Sequence, residues 1–260
     1  MRWHNIHASN SGSKSPMIND IDQIKLNDKI ILITGAGDGI GKAVSLDCAK
    51  RGATVILLGK TIHKLEQVYD EIIEAGGPEP AIYPLDLAGA AADDYADLHD
   101  NIEKEFGRLD ALFNNAGWLG ASTPMEMFDT ELWYRIMQVN LNAPFLLTKA
   151  CLPLIKKSSQ GAIVFTADDK TSAYWGAYGV AKSGMQTMMT ILADELESQN
   201  IMVNAFNPGP VRTSFRTRAY PAEDPTNLTK PEAVSGGFVY LISGECDGVT
   251  GKVFGLGDFE

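Results

Sequence analysis

Short apolar runs and amphipathic stretches take turns along this chain. Residues 29–34 (KIILIT) form a continuous apolar run stopped by Gly35. Such a run, without polar alternation, reads as a strand buried on both faces. Similar runs occupy residues 54–59 (TVILLG), 81–85 (AIYPL), 110–113 (DALF), 161–165 (GAIVF), 201–206 (IMVNAF) and, more briefly, 252–254 (KVF). The intervening segments have helical periodicity. Residues 61–75 carry Ile62, Leu65, Val68 and Ile72 on one face, and residues 90–106 carry Tyr95, Leu98, Ile102 and Phe106. Further helices are predicted over 40–51, 131–156, 178–198 and 230–243, the last with Pro231 suited to its first turn. Pro144 is expected to bend the 131–156 helix, because proline removes a backbone donor and crowds the turn before it. Strict alternation of strand and helix predicts an α/β fold, a doubly wound parallel sheet of about seven strands with helices on both faces.

Length and composition set the domain count. With 260 residues, 45% of them hydrophobic, the chain suits one large domain rather than two. Residues 1–22 are polar and rich in Ser and Asn, and are expected to be a flexible N-terminal extension; residues 23–260 form the domain. The extension lacks the apolar core of a secretory leader. Its His4 and His7 are read as solvated rather than metal-binding. The net charge of −11 argues against a nucleic-acid partner, which would require clustered Lys and Arg. No apolar stretch is long enough to predict a membrane span. Cys48, Cys151 and Cys246 are far apart and show no metal-ligand spacing, so they are expected to be reduced in a cytoplasmic protein.

The first strand runs into TGAGDGIG, residues 34–41. In an open parallel sheet, ligands sit outside the carboxyl ends of the strands, where strand order reverses, and this turn lies there. Gly35, Gly39 and Gly41 fit GxxxGxG rather than GxGxxG. Either spacing lets a pyrophosphate approach the backbone and rest on the N-terminus of the next helix. The strand before and the helix after supply the context that makes such a turn a Rossmann-type dinucleotide site, lined by Gly35, Asp38, Gly39, Ile40 and Gly41. A site selective for NAD carries an acidic residue at the end of the second strand. Here Gly59-Lys60-Thr61 follows instead, and Lys60 is suited to a 2′-phosphate. NADP(H) is therefore favoured over NAD(H), with Asp38 inside the phosphate turn as the opposing signal.

Tyr178 and Lys182 are four residues apart, one turn along one face of a helix. A phenol is a poor acid–base near neutrality, and a neighbouring ammonium is expected to lower its pKa. Together with the glycine turn and the NNAG at Asn114–Gly117, this pair resembles the short-chain dehydrogenase/reductase family. Asp86, Asn140, Pro208-Gly209 and Thr213 follow in the same order. The resemblance runs from Lys25 to the C-terminus, and VILLGK, LADE, EDP and WGAY look closest to the YciK-like bacterial oxidoreductases. It implies hydride transfer between NADP(H) and a carbonyl or secondary alcohol. Tyr178 would be the acid–base, Lys182 would bond the nicotinamide ribose, and Asn140 would hold a relay water. Asp86, Leu87, Asn115 and Gly117 would line the adenosine side, and Val211 and Thr213 would contact the carboxamide. A homodimer or homotetramer is implied as well. The breaker-rich stretch Ser214–Thr229 is expected to be a loop that closes over the substrate.

One position departs from the family. The resemblance calls for a serine before the tyrosine, but counting back by the family's spacing lands on Phe165, inside a strand. Aligning on the strand instead puts Asp168 there, with the segment to Tyr178 a few residues short. A carboxylate accepts hydrogen bonds and repels the charge that builds on a carbonyl oxygen. Three readings stay open. A hydroxyl from Thr166, Thr171 or Ser172 replaces the serine; Asp168 is protonated or binds a polar or cationic substrate; or turnover is impaired and the protein is a dinucleotide-binding sensor or scaffold. Asp168 and Asp169 are adjacent and point apart on most backbones, so no metal is expected.

Overall fold

The computed structural model describes residues 18–244, 246 and 248–259. Seven strands form one sheet: β1 (Ile30–Thr34), β2 (Thr54–Gly59), β3 (Ala81–Pro84), β4 (Ala111–Asn114), β5 (Gly161–Thr166), β6 (Ile201–Asn207) and β7 (Val253–Gly255). Their order is β3-β2-β1-β4-β5-β6-β7 and every pairing is parallel. Among the described residues the eight α-helices are α1 (Gly39–Lys50), α2 (Ile62–Glu74), α3 (Ala92–Phe106), α4 (Thr130–Met137), α5 (Ala143–Ile155), α6 (Gly176–Leu196), α7 (Ser214–Ala219) and α8 (Pro231–Ser243). The expected Rossmann-type sheet is present, with element ends mostly shifted by one or two residues. None of the described helices is long and apolar enough to cross a membrane.

The strands lack polar alternation because both faces are covered. Ile31 and Ile33 of β1 pack with Val44, Leu65 and Phe238 under α1, α2 and α8. Ile30 and Leu32 pack on the other side with Leu98, Leu147 and Met185 under α3, α5 and α6. The side-chain period of two thus sends successive apolar residues into two separate cores. Cys48 and Cys151 are free and buried, and Cys246 is buried.

Three expectations change. The segment 131–156 is not one bent helix. Between α4 and α5 the backbone widens into π-helix over Gln138–Asn142, and Pro144 opens α5. Pro144 has no N–H to give the Asn140 carbonyl four residues earlier, so the α-ladder cannot run through. Second, Ser214–Thr229 is not an irregular loop. It begins with α7, capped by the Thr213 hydroxyl, which accepts from the Arg216 N–H, and contains a 3-10 turn capped by Asp224. Val211 and Thr229 pair as a parallel bridge, which pins both ends. Third, the N-terminal extension falls largely outside the described residues, as do His4 and His7. Its last residues, 18–22, form a 3-10 turn with Gln23. The Ile21 carbonyl accepts from the Arg51 guanidinium at 2.6 Å, and the Ile21 side chain packs against the core.

The centre of the first core is aromatic. Phe238 of α8 lies 4.7 Å, centroid to centroid, from both Phe113 of β4 and Phe206 of β6. Phe238→Ala removes a fully buried ring that ties α8 to two central strands. It should cost about 3–5 kcal/mol, measured as a lower urea midpoint with an unchanged denaturant slope.

Candidate active site at the strand carboxyl ends

The chain steps outward from β1 to β3, then crosses back to β4, so a crevice opens above the β1–β4 boundary. The cleft there has a volume of about 680 Å³ and extends from Gly35 and Lys60 at one end to Tyr178 and Tyr220 at the other.

The glycine turn is tight for reasons each position supplies. Gly35 and Gly39 have φ of 66° and 53°, conformations that disfavour a side chain. A Cβ on Gly41 would lie against the Gly35 carbonyl, closer than van der Waals contact permits. Asp38 caps α1 by accepting from the Gly39 N–H at 2.7 Å. Its other oxygen accepts from Lys64 at 2.7 Å and from the Ser214 hydroxyl at 3.1 Å. Burial alone would raise the Asp38 pKa, but these partners, Lys64 foremost, hold it below its ordinary value. The charge that seemed to oppose a phosphate is therefore offset by a lysine that the sequence reading did not single out. Lys64 lies four residues past Lys60, and that spacing at a helix start is the signal that was available. Ile40, Gly41 and the open Gly35–Gly39 backbone leave the α1 N-terminus approachable, a shape and polarity that fit a dinucleotide pyrophosphate. Lys60 is exposed at the end of β2 and lines the same cleft.

Along the floor, Asp86 accepts from the Ala88 N–H at 3.1 Å, and buried Leu87 follows it. Asn115 is held by both strand ends: its side-chain amide donates to the Thr34 carbonyl, and its Oδ1 accepts from the Thr166 hydroxyl at 3.2 Å. Gly117 lies next, where a Cβ would approach Asn140 Oδ1 to 3.2 Å. Asn140 is buried on the π-helical turn. Its amide accepts from the Trp118 N–H and donates to the carbonyls of Trp118 and Ile136, both at 2.8 Å. Those side-chain bonds hold Trp118 against the cleft. Val211 is buried at the base of α7, and the Thr213 methyl group lies where a Cβ on Gly39 would reach it at 3.0 Å.

Tyr178 and Lys182 lie together near the start of α6, each only 4% exposed. Lys182 Nζ donates to the Thr166 carbonyl at 2.8 Å and lies 5.9 Å from the centre of the Tyr178 ring. Burial pushes the Lys182 pKa down to about 8, against a smaller opposing pull from Asp168. The Tyr178 hydroxyl donates to Asp168 Oδ2 at 2.9 Å. Here the expectation of a lowered phenol pKa is reversed. Burial, then the charge of Asp168, then their hydrogen bond all push it up. Asp168 Oδ1 pairs with Lys170 at 3.3 Å. Of the three candidate hydroxyls, Thr166 is engaged with Asn115, while Thr171 and Ser172 are exposed. Asp168 is the group beside the tyrosine hydroxyl.

Aromatic rings enclose that end of the cleft. Phe215 of α7 lies 5.3 Å from the Tyr178 ring, and Trp175 lies 5.8 Å from Tyr178 and 5.9 Å from Tyr220. Arg135 stands over Trp118 at 4.9 Å and Lys170 over Trp175 at 5.0 Å. Trp118 and Trp175 were absent from the expected site, although Trp118 directly follows NNAG and Trp175 opens WGAY.

Residues 29–224 match the family model described as short chain dehydrogenase. The chain is a short-chain dehydrogenase. Among its relatives, this dehydrogenase is 42% identical to the uncharacterized oxidoreductase YciK of Escherichia coli K12, over 88% of this chain and 92% of that one. It is 31% identical to the 3-oxoacyl-[acyl-carrier-protein] reductase FabG of Thermotoga maritima, over 90% and 98% of the two chains. The structure of a short chain dehydrogenase from Shigella flexneri complexed with NADP superposes with a TM-score of 0.86 at 41% identity, covering 88% and 97%. One from E. coli CFT073 complexed with NADPH gives 0.85 at 42%, with the same coverage. The dehydrogenase resembles all four along nearly their full length, and the oxidoreductase class follows from the family.

The Asp168 contact makes a direct prediction. In Asp168→Ala, the Tyr178 phenol should ionise at lower pH than in the natural chain, yet still above its ordinary value, because burial remains. Ultraviolet difference titration of the two proteins, with Tyr178→Phe identifying the signal, measures this.

Proposed function

We propose that this short-chain dehydrogenase transfers hydride between NADP(H) and a small molecule bearing a reducible or oxidisable carbon centre, with Tyr178 and Lys182 at the reacting end. The observation that carries the reading is the single cleft joining the glycine turn to the buried Tyr178–Lys182 pair. The α1 N-terminus and Gly35–Gly41 would hold the pyrophosphate, Leu87, Asp86, Asn115 and Gly117 the adenosine side, and Val211 and Thr213 the carboxamide. The nicotinamide supplies the hydride when bound. Lys182 would hold the adjoining ribose and set the electrostatics around Tyr178. Pro144 cannot donate to the Asn140 carbonyl, which makes that carbonyl the group suited to a relay water. Tyr178 would hold or release the proton at the reacting heteroatom. Homodimeric or homotetrameric assembly and a cytoplasmic setting are part of this reading, carried by family resemblance.

NADP(H) is favoured over NAD(H) by the lysines around the second strand end. Lys60 follows β2 with no acidic neighbour there, and Lys64 balances Asp38. The NADP and NADPH complexes of the two related structures agree with this. Lys60→Ala should weaken NADPH binding by about tenfold, the scale of one charge-assisted contact, and leave NADH binding unchanged. Fluorescence titration with both cofactors checks it.

Lys182 sets a pH limit. Burial favours its neutral amine, so the ammonium is present below about 8 and is lost as pH rises through that value. Cofactor binding and kcat/KM should therefore fall on the alkaline side of about 8. Lys182→Arg, which keeps its charge, should move the alkaline limb of cofactor binding upward, read by titration with NADPH across pH.

A specific observation favours a second reading. The Tyr178 hydroxyl is engaged by Asp168, which fits a dinucleotide binder with impaired turnover of carbonyls. Tight NADPH binding with no turnover of a ketone or an imine by the natural chain, and ketone turnover gained in Asp168→Ser, would select it. Failure to bind either cofactor would overturn both readings.

A further inference from the structure

We propose that the reacting end is built for a carbon–nitrogen double bond, a planar protonated imine that is reduced to an amine, with Asp168 as the partner of its nitrogen. This rests on the hydride-transfer reading above and names its substrate class.

Charge at the reacting atom is the first reason. Reducing a carbonyl builds negative charge on oxygen, and that atom must lie beside the Tyr178 hydroxyl. Asp168 Oδ2 is 2.9 Å from that hydroxyl. A carboxylate in that place opposes an oxyanion, and none of the neighbouring hydroxyls replaces it: Thr166 donates to Asn115, and Thr171 and Ser172 are exposed. An iminium reverses the sign. Its nitrogen enters positively charged and carries an N–H for which Asp168 Oδ2 is an acceptor. Lys170 occupies the other oxygen, Oδ1, which leaves Oδ2 as the edge shared by tyrosine and substrate.

The walls are the second reason. Trp118, Trp175, Phe215 and Tyr220 line this end of the cleft. Flat rings suit a flat, conjugated substrate.

The step balances without a further reactant. The iminium carbon accepts the hydride pair from the reduced nicotinamide and forms a C–H bond. The C=N π pair withdraws onto nitrogen, which becomes a neutral amine. Substrate is reduced by two electrons and the dinucleotide is oxidised by two. The amine then takes a proton from solvent or through Tyr178 and leaves as an ammonium, again paired with Asp168.

The test compares matched probes on the full chain. With NADPH, initial rates are measured for dihydroisoquinoline and for tetralone, a bicyclic ketone of similar size. With NADP⁺ present, calorimetry measures binding of tetrahydroisoquinoline, an ammonium, and of isochroman, its neutral oxygen counterpart. The natural chain should favour the imine by at least about tenfold in kcat/KM, and Asp168→Ser should reverse the preference. Asp168→Asn should weaken ammonium binding by about tenfold and leave isochroman binding unchanged. Unchanged NADPH binding and circular dichroism show that the variants are folded. A preference of the natural chain for tetralone overturns the proposal, as does ammonium binding indifferent to Asp168→Asn. Binding of NADPH with turnover of neither substrate overturns it too and leaves the dinucleotide-binding reading. Failure to bind NADPH overturns the hydride-transfer reading on which it rests.

Discussion

A buried threonine hydroxyl holds the carboxyl edge of the sheet together, and the site hangs from it. Thr34 ends β1, where its hydroxyl donates to the Phe113 carbonyl of β4 and accepts from the N–H groups of Asn115 and Ala116, each at 2.9 Å. This clamp sits at the point where strand order reverses and the crevice opens. It also orients Asn115, whose side chain bonds back to the Thr34 carbonyl and accepts from Thr166 of β5. The Thr166 carbonyl in turn accepts from Lys182. One connected set of hydrogen bonds thus runs from the glycine turn to the buried lysine. Every member is wholly or partly buried, so an unpaired partner would carry the desolvation cost of a buried polar group.

Much of this was legible because it is local. Continuous apolar runs marked the strands, since both faces are covered. The glycine spacing marked the turn, and the i, i+4 separation of Tyr178 and Lys182 put both on one helical face. The misses have a common cause: they depend on which group faces which across the fold. Periodicity ran unbroken through residues 131–156, and only the donor missing at Pro144 combined with the inward amide of Asn140 produces the π-helical turn. The breaker-rich stretch after Thr213 read as a loop because its helix has six residues and is fixed by a cap and by Arg216–Glu223 pairing. The spacing from Lys60 hinted at Lys64, but its pairing with Asp38 was not legible because Asp38 lies on a different element. The direction of the Tyr178 pKa was misjudged for the same reason. Sequence spacing named the ammonium one turn away and could not show the carboxylate at 2.9 Å.

The placement of Asp168 has a backbone origin. The segment from β5 to α6 must turn within few residues, and it does so with Tyr174 at a φ of 73° and Gly176 at 42°. A non-glycine residue in that region is strained, by roughly 1–3 kcal/mol, and surrounding packing must hold it there. Gly179 shows how closely the segment is drawn in. A Cβ there would collide with the Lys170 carbonyl, and one on Gly176 would collide with the Phe128 ring. The close return of Lys170 onto α6 sets the carboxylate two residues earlier against the tyrosine hydroxyl. Asp168 is therefore a built partner of Tyr178 rather than a surface residue that happens to lie near it.

The two ends of the cleft are joined on its other side by three consecutive residues. The Thr213 methyl group packs against Gly39, the Ser214 hydroxyl donates to Asp38, and the Phe215 ring packs on Tyr178. The same short stretch thus touches the glycine turn and Tyr178. Each of these contacts is weak alone, and Asp38 and Ser214 are exposed. A six-residue helix also has little intrinsic stability, since helix nucleation is costly and packing supplies most of what holds it. It follows that α7 keeps its place through contacts to both halves at once. The glycine turn therefore bears on the same helix that encloses Tyr178.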